Sequence, residues 1–262
     1  MTDTPPIDTT VAHSARVWNY WLGGKDHYPV DRELGEQVER AFPEIVEIAR
    51  AEREFLIRAV THLAREEGVR QFLDIGTGLP TANNTHEAAQ AAAPEARVVY
   101  VDNDPMVLAH ARALLTSNAE GSTHYVDADL TEPGPLLDQA RRHLDFTRPI
   151  ALTFLGTLGH YPVEESTYAL VRTYLDALPS GSFLAMCDST DTGPEIVAAT
   201  KAWNEGATAP YHLRTVREIE AFFEGLELLE PGVVSIPFWR PAHAEVGRAK
   251  EIAQYGGVAR KP

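Results

Sequence analysis

Three acidic residues carry the first chemical signal. Asp74 opens the run Asp74-Ile75-Gly76-Thr77-Gly78, Asp102 lies 28 residues further on, and Asp129 closes Asp127-Ala128-Asp129. Gly76 and Gly78 allow a tight backbone turn and close approach to a ligand. The dinucleotide pattern G-x-G-x-x-G is not met, because Thr81 stands at its third glycine position. Asp74, two residues before the first glycine, would repel a pyrophosphate and suits a group bearing ammonium or sulfonium charge. A carboxylate in the place of Asp102 accepts from both hydroxyls of a ribose. One in the place of Asp129 accepts from an exocyclic amine such as adenine N6. Taken singly, a glycine turn is as often structural, and strand-end acids are commonly solvated or helix caps.

The elements around these residues make them one set. QFLDIG (71–76), RVVYVDND (97–104) and THYVDADL (123–130) read as strands, each ending near one of the acids. PIALTFLGTL (149–158) and SFLAMCD (182–188) are further strands, the first apolar without alternation, as when both faces are covered. Helices alternate with them: residues 44–67, with apolar residues at Ile45, Ile48, Phe55, Leu56, Ala59, Val60 and Leu63, then 81–93, 105–117, 136–144, 164–178, 194–205 and 215–224. Alternation of this kind predicts a mainly parallel sheet with helices on both faces. Its carboxyl edge, where the three acids gather, is where such folds bind ligands. Leu226–Leu229 and Val233–Phe238 flank Pro231-Gly232 and are expected to form a late hairpin with an antiparallel edge strand. Ahead of the helical run stands VWNYWLGGKDHY (17–28), dense in aromatic side chains around Gly23-Gly24.

Charge and composition narrow the partners. Lys and Arg number 23 against 38 Asp and Glu, a net −15 over 262 residues. That balance opposes nucleic-acid backbones and anionic membranes and favours a cationic small molecule. Cys187 is the sole cysteine, which excludes an internal disulfide and a cysteine zinc site. No His/Asp/Glu cluster shows metal-binding spacing, no apolar run reaches the ~18 to 20 residues of a membrane span, and no signal peptide is read. A soluble, cytoplasmic protein is expected.

The stretches SARVWNYWLGGKDHYPVDRE, RQFLDIGTGLPTANNTHEAAQAAAPEARVVYVDNDPMVLAHARALL, ADL, IEAFFEGLELLEPGVV, WRP and YGGVARKP together resemble a class I S-adenosylmethionine-dependent methyltransferase. More narrowly, the chain is similar to an actinobacterial family of such proteins formerly catalogued as a domain of unknown function. The resemblance runs from Ser14 to Pro262. It implies an α/β fold: a doubly wound, Rossmann-like, mainly parallel seven-stranded sheet with an antiparallel C-terminal strand and an N-terminal helical lid. Residues 1–67 would form the tail and lid, and 68–262 the cofactor-binding domain. The implied cofactor is S-adenosyl-L-methionine. Asp74, Gly76, Thr77 and Gly78 would face its methionine and ribose, Asp102 the ribose hydroxyls, Asn103 the adenine, and Asp129 with Leu130 the adenine edge and face. The lid would add Tyr20, Gly23, Gly24 and Lys25, with Lys25 paired to the methionine carboxylate or simply solvated.

Methyl transfer from a sulfonium is an in-line displacement that chiefly needs alignment, with a base only where the acceptor must lose a proton. The reacting end lies after the fourth strand, at Phe154–Pro162. Here Gly159 stands where the family carries His, with His160 one place later. After the fifth strand Cys187-Asp188-Ser189 replaces the family's Ser-His. His160 is the first candidate base, then Asp188 and His27, while packing or exposure is the ordinary fate of any of the ten histidines. A small-molecule O, N or C acceptor is the leading expectation. The alternatives are non-methylating chemistry on the same cofactor and a catalytically silent cofactor-binding protein. A nicotinamide dehydrogenase is opposed by Asp74 and the missing third glycine.

Overall fold

Runs of β-branched and aromatic residues form the strands. In a computed structural model, residues 7–80, 83–114, 117–207, 209–242 and 247–262 are described. Gln71–Ile75 (β1), Arg97–Asp102 (β2), Ser122–Asp127 (β3), Ala151–Leu155 (β4) and Phe183–Ser189 (β5) are parallel, in the order β3-β2-β1-β4-β5. All of β1 and β5 is buried, as strands sandwiched by helices must be. The chain winds outward from β1 to β3, then returns to place β4 on the other side of β1. That reversal opens a crevice beyond the carboxyl ends of β1 and β4.

The C-terminal region corrects one expectation. Glu227–Leu228 (β6) and Val234–Ser235 (β7) do not pair as a hairpin; each pairs antiparallel with Gln254–Arg260 (β8). β8 is itself antiparallel to β5, so the antiparallel strand lies inside the sheet rather than in the 226–238 segment. The sheet has eight strands in seven positions, because β6 and β7 lie along one flank of β8. Gly256 and Gly257 hid β8 from a propensity reading, since glycine weakens a strand pattern.

The helices are Ser14–Trp21 (α1), Pro29–Ala41 (α2), Ile45–Arg65 (α3), Thr85–Ala92 (α4), Pro105–Leu114 (α5), Pro133–Ala140 (α6), Glu165–Asp176 (α7), Pro194–Gly206 (α8) and Val216–Glu220 (α9). The helix expected from Thr81 opens at Thr85; Thr81 lies outside the described residues, as do residues 115–116 of the expected 105–117 helix. Local chemistry sets several starts. Asp104 Oδ1 accepts from Met106 N at 2.7 Å ahead of α5, and Thr215 and Glu218 form the expected capping box of α9. Among the described residues no helix is long and apolar enough to cross a membrane.

Two junctions fix the N-terminal helices. The fully buried Asp31 accepts from His13 N at 2.9 Å and Tyr28 N at 2.8 Å, and Arg16 Nε lies 3.4 Å away. One carboxylate therefore ties the start of α1 to the start of α2. α3 then presents Ile48, Phe55, Leu56, Ala59 and Leu63 to the sheet. Phe55 packs edge-on to the buried Trp239 at 5.4 Å, while Arg58 donates to the carbonyls of Trp239 and Ile236 at 2.9 and 2.8 Å. Removing that ring leaves a cavity in a close-packed core. Phe55→Ala is expected to cost about 3–5 kcal/mol, read as a lower urea midpoint; an unchanged midpoint would contradict this account of how α3 is held.

Candidate active site

The crevice beyond β1 and β4 is a cavity of about 280 Å³, near the lower end of the size range of small-ligand sites. Its floor is the turn after β1. Gly76 N donates to Val101 O at 2.9 Å, which binds the turn to β2. Gly76 (φ +74°) and Gly78 (φ +66°) both occupy the left-handed region that glycine tolerates. Their surroundings differ. A Cβ on Gly76 would lie 2.4 Å from the Thr157 side chain, whereas one on Gly78 would meet open space.

Asp102 is clamped beside this turn. Its Oδ2 accepts from Gly78 N and its Oδ1 from Asp104 N, both at 2.9 Å. Burial pushes its carboxyl above the usual range, opposed by those two N–H groups. Asp74 lines the same cavity but is internally satisfied: Thr85 Oγ1 donates to it at 2.5 Å and Thr153 Oγ1 at 2.6 Å. It thereby joins α4 and β4 to the end of β1. Burial raises its carboxyl too.

Of the expected cofactor residues, Asp74, Gly76, Thr77, Gly78, Asp102, Asn103 and Leu130 come together on this cavity. Asp129 does not line it. Its exposed carboxylate accepts from Thr131 N and Oγ1, both at 2.8 Å, and its neighbours Ala128 and Leu130 face the cavity instead. Tyr20, Gly24 and Lys25 also fall outside the lining. Tyr20 packs on Gly35, and Lys25 is exposed. Gly24 acts at one remove, because a Cβ there would lie 2.2 Å from Oδ1 of Asn19, which does line the cavity. α1 closes the site with His13, Trp18, Asn19 and Leu22, and His13 Nδ1 lies 2.8 Å from Asp104 Oδ2.

The catalytic candidates separate as well. His160 lines the cavity at the end of a 3-10 turn, Leu158–His160. Its Nδ1 lies 3.1 Å from Pro210 O, so Nδ1–H donates there and Nε2 keeps the lone pair. Burial holds its pKa below the ordinary histidine value, which keeps the ring neutral near pH 7. Asp188 is fully buried and does not line the cavity. Tyr211 Oη donates to its Oδ1 at 2.6 Å, Arg214 Nη1 lies 3.8 Å from its Oδ2, and burial pushes its carboxyl up to about 6. His27 stacks edge-on to Tyr20 at 5.4 Å and is not in the lining.

Three lining residues of α3 were not anticipated: Glu52, Arg53 and Leu56. Arg53 is the lysine or arginine that lines the cavity among the described residues, the place in the site expected of Lys25. Its charge lowers both Asp74 and Glu52. Glu52 is buried, and burial, with Asp188 nearby, pushes its carboxyl up to about 8. The available signal was periodicity, for Glu52 sits on the apolar stripe between Ile48 and Leu56.

Two expectations follow. Gly76→Ala should lower thermal stability more than Gly78→Ala. Both bear left-handed strain of about 1–2 kcal/mol, but only the first displaces Thr157; equal losses would contradict the packing of the turn on β4. Second, Glu52, Asp188, Asp74 and Asp102 all have raised pKa values. The folded state then binds more protons than the unfolded chain, and the resulting stabilisation is lost as pH rises from the ordinary carboxyl range to about 8. Across that window the urea midpoint of wild type should lose ground relative to that of Glu52→Gln; identical slopes would contradict the assignment.

Comparison with known proteins gives the family. The whole chain, residues 1–262, fits the family model described as S-adenosyl methyltransferase. It is similar to a crystal structure of a DUF574 family protein from Streptomyces avermitilis MA-4680: 48% identity, TM-score 0.94, covering 98% of this chain and 100% of that one. It is also similar to a proposed methyltransferase from Thermobifida fusca YX, with 39% identity, TM-score 0.89 and coverage of 98% and 97%. No curated protein matches. With a family match along its full length, the chain belongs to the S-adenosyl methyltransferase family and takes S-adenosylmethionine as its cofactor.

Proposed function

We propose that the enzyme transfers a methyl group to a small-molecule O, N or C nucleophile by in-line displacement. The observation that carries this reading is the gathering of the Gly76–Gly78 turn, the clamped Asp102 carboxylate and the Arg53 cation in one cavity roofed by α1. A cavity of about 280 Å³ bordered by α1 and α3 is of the order of a small-ligand site. The net charge of −15 likewise favours neither nucleic acid nor membrane.

Each lining group has a task that its chemistry fits. Asp102, its oxygens anchored by Gly78 N and Asp104 N, presents remaining lone pairs to the ribose hydroxyls. Asn103 and Leu130 take the adenine, with Asp129 at its periphery. Gly76, Thr77 and Gly78 admit the ribose and methionine. Arg53 pairs with the methionine carboxylate, Asp74 offsets ammonium charge, and Glu52 offsets sulfonium charge. When bound, the cofactor supplies a methyl group activated by positive sulfur. Trp18 and Leu22 exclude water above it, and Leu155 and Gly156 border the acceptor's approach. His160, neutral and with Nε2 unprotonated, accepts a proton where the acceptor has one to lose. Residues 1–67 act in this reading as the tail and lid, and 68–262 as the cofactor-binding domain.

Calorimetry tests the cofactor half directly. The protein should bind S-adenosylhomocysteine, and Asp102→Asn should weaken binding by about 1.5–3 kcal/mol, the value of a hydrogen bond to a charged group. Unimpaired binding by the variant would remove Asp102 from the site. Methyl-labelled cofactor tests the transfer half. Label must reach an acceptor; turnover that leaves it on the sulfur-containing product would point to non-methylating chemistry.

A further inference from the structure

We propose that Glu52 is the group of this cavity that gives up a proton when the cationic cofactor enters and takes one from a hydroxyl or amine acceptor when the methyl is transferred. This rests on the cofactor reading above, adds the class of acceptor, and puts Glu52 in place of His160 as the group that takes the acceptor's proton. The position is specific. Glu52 interrupts the apolar stripe of α3, is buried, and lines the cavity. Its carboxyl lies against the turn after β4: a Cβ on Gly156 would stand 2.8 Å from Oε2 and 3.0 Å from Oε1. That turn and Gly76 meet through Thr157, so Glu52 is beside the crevice between β1 and β4.

Its two oxygens are inequivalent. Gln254 Nε2 on β8 donates to Oε2 at 2.6 Å, and Cys187 Sγ on β5 lies 3.7 Å from the same oxygen. Ser189 Oγ donates to Gln254 Oε1 at 2.7 Å, which turns the amide N–H of Gln254 toward Glu52. Among the described residues no hydrogen bond reaches Oε1, so the exchangeable proton belongs there. The charged and titratable groups around it are Arg53 on α3 and the Cys187 thiol on β5, which favour the carboxylate, and Asp188 on β5, which opposes it; His13 and His160 line the same cavity. Burial, with Asp188, outweighs Arg53 and Cys187 and holds the carboxyl neutral near pH 7. A sulfonium in the cavity supplies the missing positive charge and drives the proton to solvent. In transfer, the acceptor's lone pair forms the new bond to the methyl carbon. The carbon–sulfur bond breaks with its electron pair left on sulfur, and the acceptor's proton goes to Glu52 Oε1.

The test needs no acceptor. S-Adenosylmethionine and S-adenosylhomocysteine differ in the sulfonium charge, and calorimetry in buffers of different ionisation enthalpy counts protons released. At pH 7 the wild type should release up to about one proton more with S-adenosylmethionine than with S-adenosylhomocysteine. The excess should shrink as pH rises past about 8. Glu52→Gln retains an acceptor oxygen for Gln254 and should bind S-adenosylhomocysteine within about threefold of wild type while releasing no excess proton. Infrared difference spectra should show a protonated carboxyl band lost on adding S-adenosylmethionine and absent from Glu52→Gln. Binding of both ligands with equal proton release, or an excess that survives in Glu52→Gln, would overturn the role of Glu52 and leave the cofactor reading standing. Failure of both ligands to bind wild type would overturn both.

Discussion

The site depends on one close approach, that of the β1 turn to the β4 turn. Because the strand order reverses at β1, the chain leaving β1 must turn beside the chain leaving β4. Gly76 meets that demand twice, by accepting φ +74° and by leaving space for Thr157. The turn then delivers Gly78 N to Asp102, and Asp102 in turn fixes Asp104 N at the start of α5. Asp74 closes the same junction from below through Thr85 and Thr153. The turn geometry and the aim of the Asp102 carboxylate follow from that one packing constraint.

The cavity concentrates negative charge in a poorly solvated place. Asp74, Asp102 and Glu52 all have pKa values raised by burial, and Arg53 offsets this only in part for Asp74 and Glu52. An empty site of this kind opposes ionisation, and a ligand with positive charge at sulfur and nitrogen relieves that opposition. Stability and function are linked through these acids, because the protons that favour the empty fold are the ones a cationic cofactor displaces. The N-terminal helices are tied to the same region: Asp31 joins α1 to α2, and His13 reaches Asp104 at the start of α5.

Legibility in the sequence followed the range of the interaction. Strand, glycine turn and strand-end acid are local, so Asp74, Gly76, Gly78 and Asp102 were readable from neighbouring residues. Asp129 had the same local signature, but Thr131 two residues on occupies its carboxylate. Helix α1 carries aromatic side chains on more than one face, which concealed its rotation: Ala15, Trp18 and Leu22 face the cavity, while Tyr20 faces α2. Strand alternation sends Cys187 toward Glu52 and Asp188 toward Tyr211 and Arg214, a distinction that needs the strand's register. β8 was hidden by its glycines and by partners more than sixty residues away in the chain. Glu52 was legible as an acid on an apolar stripe, a conflict between pattern and residue type of the sort that marks functional positions.

A crystal structure with S-adenosylhomocysteine bound tests the central claim most directly. The account predicts the ribose hydroxyls on Asp102, the amino-acid carboxylate on Arg53, and the sulfur facing Glu52 and the turn after β4. A ligand seated elsewhere, or one in this cavity with its ribose away from Asp102, would contradict it.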